Sequence, residues 1–130
     1  MNRKIDKLRN DIEKKKNEIA DRLQRNKEIN PSKYFLQSSN YEKIFDLTGN
    51  KTDLINAIDS ITEAIVKSTE AQYIAKRVEL YIKNEEFEKA AEDIIEITKL
   101  YPITGVIGMY VNKIKNDALK IKEIQDIIFS

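Results

Sequence analysis

Apolar side chains recur at helical spacing along nearly the whole 130-residue chain, and this period most constrains the fold. Only three Gly and two Pro interrupt the pattern. A sustained period of about 3.6 residues places apolar side chains on one face of a helix, whereas a half-buried strand needs strict alternation. The sequence therefore predicts an all-α fold, a compact helical domain of about five helices that spans residues 1–130 as a single domain.

The first segment, residues 1–28, is predicted to form a long amphipathic N-terminal helix. Its narrow apolar stripe consists of Ile5, Leu8, Ile12, Ile19 and Leu23. A heptad reading would place Lys15 and Arg22 at core positions, which argues against a long coiled coil. We expect this arm to pack against the body of the protein or to pair with a second copy, which leaves a homo-oligomer through residues 1–28 open.

An aromatic-rich connector is predicted over residues 29–50. The sequence Asn30-Pro31-Ser32 breaks the first helix, because the residue before proline is disfavoured in helical conformation. Aromatic and aliphatic residues then crowd the stretch 34–47, which favours a hydrophobic plug under neighbouring helices. Gly49 and Asn50 end the segment as a turn or helix C-cap.

The helical core is predicted over residues 51–130. Its first helix buries Leu54, Ile58, Ile61 and Ile65, with Asn50 or Thr52 as the cap. A second helix starts at a capping box formed by Thr69 and Gln72. A third begins near Phe87 and ends at Pro102. A final helix over about 104–128 is predicted to face inward with Ile107, Tyr110, Val111, Ile114, Ala118, Ile121 and Ile128.

Residues 81–102 resemble the second half of a tetratricopeptide repeat, within a helical hairpin over about 71–102. The family has an aromatic residue, a polar turn, a second aromatic, a small residue, an apolar residue and a closing proline at set spacings. Here those positions are Tyr81, Phe87, Ala90, Ile94 and Pro102. Arg77, Val78 and Ile97 depart from the pattern, and the sequence holds no second copy at the repeat offset. The resemblance implies a groove lined by Gln72, Ala75, Lys76, Glu79, Ile82 and Lys83.

The net charge of +1 conceals a polarised chain. Residues 1–28 carry ten Lys/Arg against six Asp/Glu, a balance of +4, whereas residues 51–102 carry seven against eleven, a balance of −4. Opposite charges favour contact between the two regions, within the fold or between subunits. The alternative is that the basic arm binds nucleic acid through phosphate contacts. The candidate residues are Arg9, Lys14, Lys15, Lys16, Arg22, Arg25 and Lys27.

Most familiar catalytic arrangements are excluded, because the chain has neither Cys nor His. Glu88, Glu92 and Glu96 lie four residues apart and could pair as acid and base or hold a divalent cation, but a solvated helix face is the preferred interpretation. Gly105 and Gly108 lack the context of a phosphate-binding loop, so we expect them to allow close helix packing. We therefore expect no catalytic residue, no metal and no cofactor.

The sequence thus favours a small non-catalytic protein-interaction module, such as an adaptor, a chaperone-like protein or a regulatory subunit. A small nucleic-acid-associated protein is the alternative. The longest apolar runs are far shorter than the roughly 20 residues that span a bilayer, so no membrane association is expected. The charged N-terminal residues do not resemble a signal peptide, which favours the cytoplasm.

Overall fold

The computed structural model describes residues 3–24, 30–101 and 105–130. Helices account for 87% of these residues, and they contain no strand, which confirms the all-α prediction. The described residues form seven helices where about five were expected. The helices are α1 (Arg3–Gln24), α2 (Pro31–Thr48), α3 (Lys51–Lys67), α4 (Ala71–Lys83), α5 (Phe87–Leu100), α6 (Gly105–Ala118) and α7 (Lys122–Ile128).

The contacts divide the chain into two compact units, residues 1–68 and residues 69–130. The first unit contains α1, α2 and α3, and the second contains α4 to α7. The prediction of a single domain over 1–130 remains a prediction.

The predicted connector is helix α2, and it supplies the first of the two additional helices. Asn30 caps the helix by accepting a 3.0 Å hydrogen bond from the Ser32 backbone N–H. Pro31 occupies the first turn, where its missing N–H costs nothing. The sequence that was expected to break one helix therefore also starts the next. Gly49 closes α2 in the left-handed conformation (φ 72°), as the turn prediction required.

Helix α3 packs against α2 and follows the predicted pattern closely. Leu54 and Ile61 are fully buried, and Ile58 is 8% exposed. Asn50 caps α3 through a 3.0 Å hydrogen bond from Thr52 N–H. The Ser38 hydroxyl on α2 donates a 2.7 Å hydrogen bond to the Ala57 carbonyl, which satisfies a buried polar group at the contact.

Helix α1 docks on α2 within the first unit, as expected for an arm that does not stand alone. Leu8, Ile12 and Ile19 from the predicted stripe are buried. Arg9 also reaches Asp53 at the start of α3, so a residue of the basic segment pairs with one of the acidic segment.

In the second unit, α4 and α5 form a helical hairpin. Ala90 and Ile94 are buried at its contact, as predicted. The turn has Glu85 in the left-handed region (φ 57°), with hydrogen bonds from Glu86 N to Tyr81 O and from Glu85 N to Ile82 O. These two bonds define a Schellman motif, in which the left-handed position is usually glycine.

Two local predictions in this unit are wrong. Glu70, not Thr69, is the N-cap of α4. The final helix does not run unbroken over 104–128, because α6 ends at Ala118 and Ile121 adopts an extended conformation before α7. The break turns Ile124 into the core, where it is fully buried against the α4–α5 hairpin cluster. No Gly or Pro marks the break between α6 and α7, so the helical period of the sequence did not predict it.

Candidate functional site

The second unit has an apolar groove where α4 begins, α5 ends and α6 begins. Its volume is about 430 Å³. Five of the seven lining residues are aliphatic or aromatic, and only one carries a charge. We call this set the α4/α6 groove: Glu70, Ala71, Gln72, Tyr101, Val106, Ile107 and Tyr110.

The groove exists because α6 carries apolar residues on two faces. Gly108 and Val111 are buried. Val106, Met109 and Tyr110 follow one another at spacings of three and one, so they share the other face of the helix. Their exposed fractions are 84%, 70% and 45%. A surface helix of a globular protein usually has polar residues on its outer face, so these exposed apolar side chains are unusual.

Hydrogen bonds hold the polar rim of the groove in place. The Tyr101 hydroxyl donates to the Thr69 carbonyl at 3.2 Å, which ties the end of α5 to the residues preceding α4. The Gln72 side-chain amide donates to the Glu70 carboxylate at 3.3 Å. Among the described lining residues, Glu70 is the one with a charged side chain, and it is a carboxylate.

Tyr110 lies at the edge of the groove nearest Glu79. Burial raises the pKa of the Tyr110 phenol, the Glu79 carboxylate raises it further, and the Lys76 ammonium opposes the shift. The phenol therefore remains protonated at neutral pH and is available as a hydrogen-bond donor.

The structure distributes the six residues of the predicted groove over different environments. Gln72 lines the α4/α6 groove. Ala75, Glu79 and Ile82 line a smaller cavity of about 130 Å³, together with Ile114, Asp117 and Ala118 of α6. Ala75 is only 5% exposed, so it offers little surface to a partner. Lys76 pairs with Glu79 at 3.5 Å, and Lys83 is exposed.

Sequence reasoning placed Ile107 and Tyr110 on the inward face of the last helix, and this is wrong. Ile107 is 54% exposed and Tyr110 is 45% exposed. Two apolar stripes compete on α6, and the helix buries the one that contains the small residue Gly108. The presence of two stripes on one short helix was the signal that could have revealed an exposed apolar face.

The basic residues of the nucleic-acid alternative are partly engaged within the first unit. Two Arg9 nitrogens donate to the two Asp53 carboxylate oxygens at 3.3 and 3.2 Å. The Lys16 ammonium lies 5.7 Å from the centre of the Tyr41 ring. Lys14 is exposed and Lys15 is half-buried. The Arg22 side chain and all of Arg25 and Lys27 lie outside the described residues.

The carboxylate stripe on α5 is solvated, as the preferred interpretation expected, since Glu88, Glu92 and Glu96 are all exposed. Their neighbour Asp93 instead points into the hairpin and pairs with Arg77. Within the part of the chain that the structure describes, no group of three or more Asp or Glu side chains is arranged to hold a metal ion. None of the described helices is long and apolar enough to cross a membrane.

Comparison with protein-family models, with curated proteins and with solved structures finds no match for this chain.

Proposed function

We propose that this chain is a small non-catalytic protein-interaction module, and that it binds a protein partner through the α4/α6 groove. The main observation behind the proposal is the exposed apolar face of α6, on which Val106 is 84% exposed and Met109 is 70% exposed. Contiguous apolar surface of this kind marks interaction sites in soluble proteins. Adaptor, chaperone-like and regulatory roles all use such a surface, and the cytoplasm remains the proposed compartment.

The shape and charge of the groove indicate the chemistry of the partner. A volume of about 430 Å³ accommodates bulky apolar side chains. Glu70 lines the groove and Glu79 lies beside Tyr110 with its side chain 65% exposed. The partner is therefore a protein segment that presents a bulky apolar side chain flanked by Lys or Arg, because opposite charges at the rim favour correct docking.

The tetratricopeptide-like hairpin supports the same location. In the resembled family the first helix of the hairpin lines the binding groove, and here that helix is α4. Gln72 belongs both to the groove implied by the resemblance and to the α4/α6 groove. The rest of the implied face adjoins the smaller cavity beside α6, which extends the proposed surface along α4.

Site-specific photo-cross-linking in the native host tests the proposal. A photoreactive phenylalanine derivative replaces Val106 in the 130-residue chain, and the matched control has it in place of Glu92 on the solvated face of α5. We expect a defined protein adduct from position 106 that position 92 does not give. Ile107→Asp and Glu70→Lys should each reduce the adduct about tenfold or more, as loss of an interface hot spot does.

Two controls make the result decisive. Circular dichroism must show that both variants keep their helix content, and a parallel sample is digested with nuclease before analysis. Equal adducts at positions 106 and 92, or no adduct at 106, would contradict the proposal. An adduct that disappears with nuclease digestion would favour the nucleic-acid alternative instead.

A further inference from the structure

We infer that the partner contributes a basic amphipathic helix that lies along α4 and α6 and inserts two apolar side chains, seven or eight residues apart, into two successive cavities. It rests on the proposed function, because it names the kind of segment that the groove binds. Three observations carry it: the order of the cavities along the two helices, their spacing and the charges that line them.

The α4/α6 groove and the smaller cavity lie one after the other between the same two helices. The groove is lined in part by the first residues of α4 and of α6, among them Ala71 and Ile107. The smaller cavity is lined by later residues of both helices, among them Ile82 and Ile114. Because residue numbers rise in the same direction along both helices, α4 and α6 run side by side and parallel. We call the two cavities together the α4–α6 seam.

The spacing of the two cavities fits one face of a helix. On α4, the lining residues of the groove centre near position 71 and those of the smaller cavity near position 78. On α6, the corresponding centres lie near positions 108 and 116. At about 1.5 Å of rise per residue, the cavities are about 11 to 13 Å apart. Side chains seven or eight residues apart lie on one face of a helix at about that distance, so one helix can fill both cavities.

The walls of the seam favour a helix over an extended chain. Five of the seven described lining residues of each cavity are aliphatic or aromatic. Three of the other four are carboxylates, which accept hydrogen bonds but donate none. The carbonyl groups of an extended segment would find few donors here, whereas a helix satisfies most of its own backbone groups. The occupant is therefore a helix that lays its apolar face into the seam.

The charged groups that line the seam are carboxylates. Glu70 lines the groove, and Glu79 and Asp117 line the smaller cavity, while the described lining residues include no Lys or Arg. The side chains of Glu79 and Asp117 are more than half exposed, and they pair with Lys76 and Lys120 at 3.5 Å. Exposed pairs of this kind are weak, so a cation of the partner can join them. Complementary charge therefore requires Lys or Arg beside the apolar face of the partner helix.

Photo-cross-linking from two positions measures the geometry of the bound segment. A photoreactive phenylalanine derivative is placed in the 130-residue chain at Val106, in the groove, or at Asp117, in the smaller cavity. The largely exposed side chain of Asp117 makes that replacement mild. After irradiation in the native host, mass spectrometry identifies the partner residue that each position labels.

A helix and an extended chain give different labels. Positions 106 and 117 are about 16 Å apart along α6, at about 1.5 Å per residue. We expect both to label one partner segment, at residues about 11 apart, because a helix has the same rise as α6. An extended chain at about 3.3 Å per residue would be labelled about five residues apart. The labelled segment should have apolar residues seven or eight apart and more Lys and Arg than Asp and Glu.

Charge reversal within the seam tests the basic character of the helix. Glu79→Lys should lower the adduct from position 106 about fivefold or more, because it sets a like charge against the partner's Lys or Arg. The matched control is Glu96→Lys, the same change on the solvated face of α5, and it should leave the adduct unchanged. Circular dichroism of both variants checks that helix content is kept.

The outcomes separate this inference from the proposed function. Labels about five residues apart, labels in two different proteins, or an adduct from position 106 without one from position 117 would overturn the inference and leave the proposed function standing. Equal adducts from Glu79→Lys and Glu96→Lys, or a labelled segment rich in Asp and Glu, would do the same. Absence of an adduct from position 106 would contradict the proposed function itself.

Discussion

Arg77 on α4 and Asp93 on α5 form a partly buried ion pair. Arg77 Nε and Nη2 donate to the two Asp93 oxygens, each at 2.7 Å. The hydrogen bond to Asp93 raises the pKa of the Arg77 guanidinium. The Tyr81 ring has Arg77 and Lys89 at 5.7 and 5.8 Å from its centre. The pairing with Asp93 accommodates the charged Arg77 side chain at the contact between α4 and α5.

Removal of one partner should cost far more than removal of both. Arg77→Met leaves the Asp93 carboxylate buried without its counter-charge, and such changes cost about 3–5 kcal/mol. The double variant Arg77→Met/Asp93→Leu should recover most of that loss, because an apolar pair of similar volume avoids the desolvation penalty. Urea unfolding followed by circular dichroism measures both. Additive losses in the double variant would contradict this account.

Capping residues and chain breaks set how many helices form. Burial of apolar side chains sets which helix faces pack against each other. Asn30 and Asn50 each cap a helix through a side-chain oxygen, so α2 and α3 begin where local chemistry permits. The α4–α5 hairpin depends on small residues, since Ala90 and Ala91 are both fully buried. A small side chain at such a position lets two helices approach closely.

A larger side chain at position 90 should therefore separate the hairpin. Ala90→Leu forces a bulky group into a site with no exposed surface, and overpacking of this kind costs about 1–3 kcal/mol. The matched control is Ala20→Leu, the same change at an exposed position of α1. Thermal unfolding of the two variants gives the comparison. If the melting temperature of Ala90→Leu were unchanged, close packing of α4 on α5 would lose its support.

For the whole molecule, the absence of histidine fixes how stability responds to pH. No side chain has an ordinary pKa between those of the carboxylates and that of tyrosine. Burial is the first cause of a raised pKa for Tyr34, Tyr81 and Tyr110, so the folded state favours the protonated phenol. Lys16 and Lys89 also have raised pKa values, because each gains a hydrogen-bonding partner on folding.

These shifts predict loss of stability on the alkaline side. A group whose pKa is raised by folding stabilises the folded state fully below its unfolded pKa, and that contribution is lost as the pH rises through the folded pKa. The free energy of unfolding should therefore be flat between about pH 6 and 9 and should fall above about pH 10. Urea unfolding across this range, with tyrosinate absorbance in parallel, measures it. A step near pH 7 would be inconsistent with the composition.

Features that depend on neighbours within a few residues could be predicted from the sequence. The helical period, the glycine stop at position 49 and a cap at position 50 or 52 depend on residues at most four apart, and the same period predicted the apolar stripes of α3 and α5. The aromatic connector was not predicted to be a helix, because its apolar residues do not form a clear stripe on one helix face. Its capping residues, Asn30 and Gly49, could nevertheless be recognised in the sequence.

Which face of a helix is buried, and which distant residues form ion pairs, could be seen only in the tertiary structure. Arg9 and Asp53 are 44 residues apart, and Arg77 and Asp93 are 16 apart, so no local pattern pairs them. Helix α6 offered two apolar stripes, and packing buried the one with Gly108 and left Val106 and Tyr110 to line the groove. A period predicts that a helix has an apolar face, but which face is buried depends on the surface that neighbouring helices present.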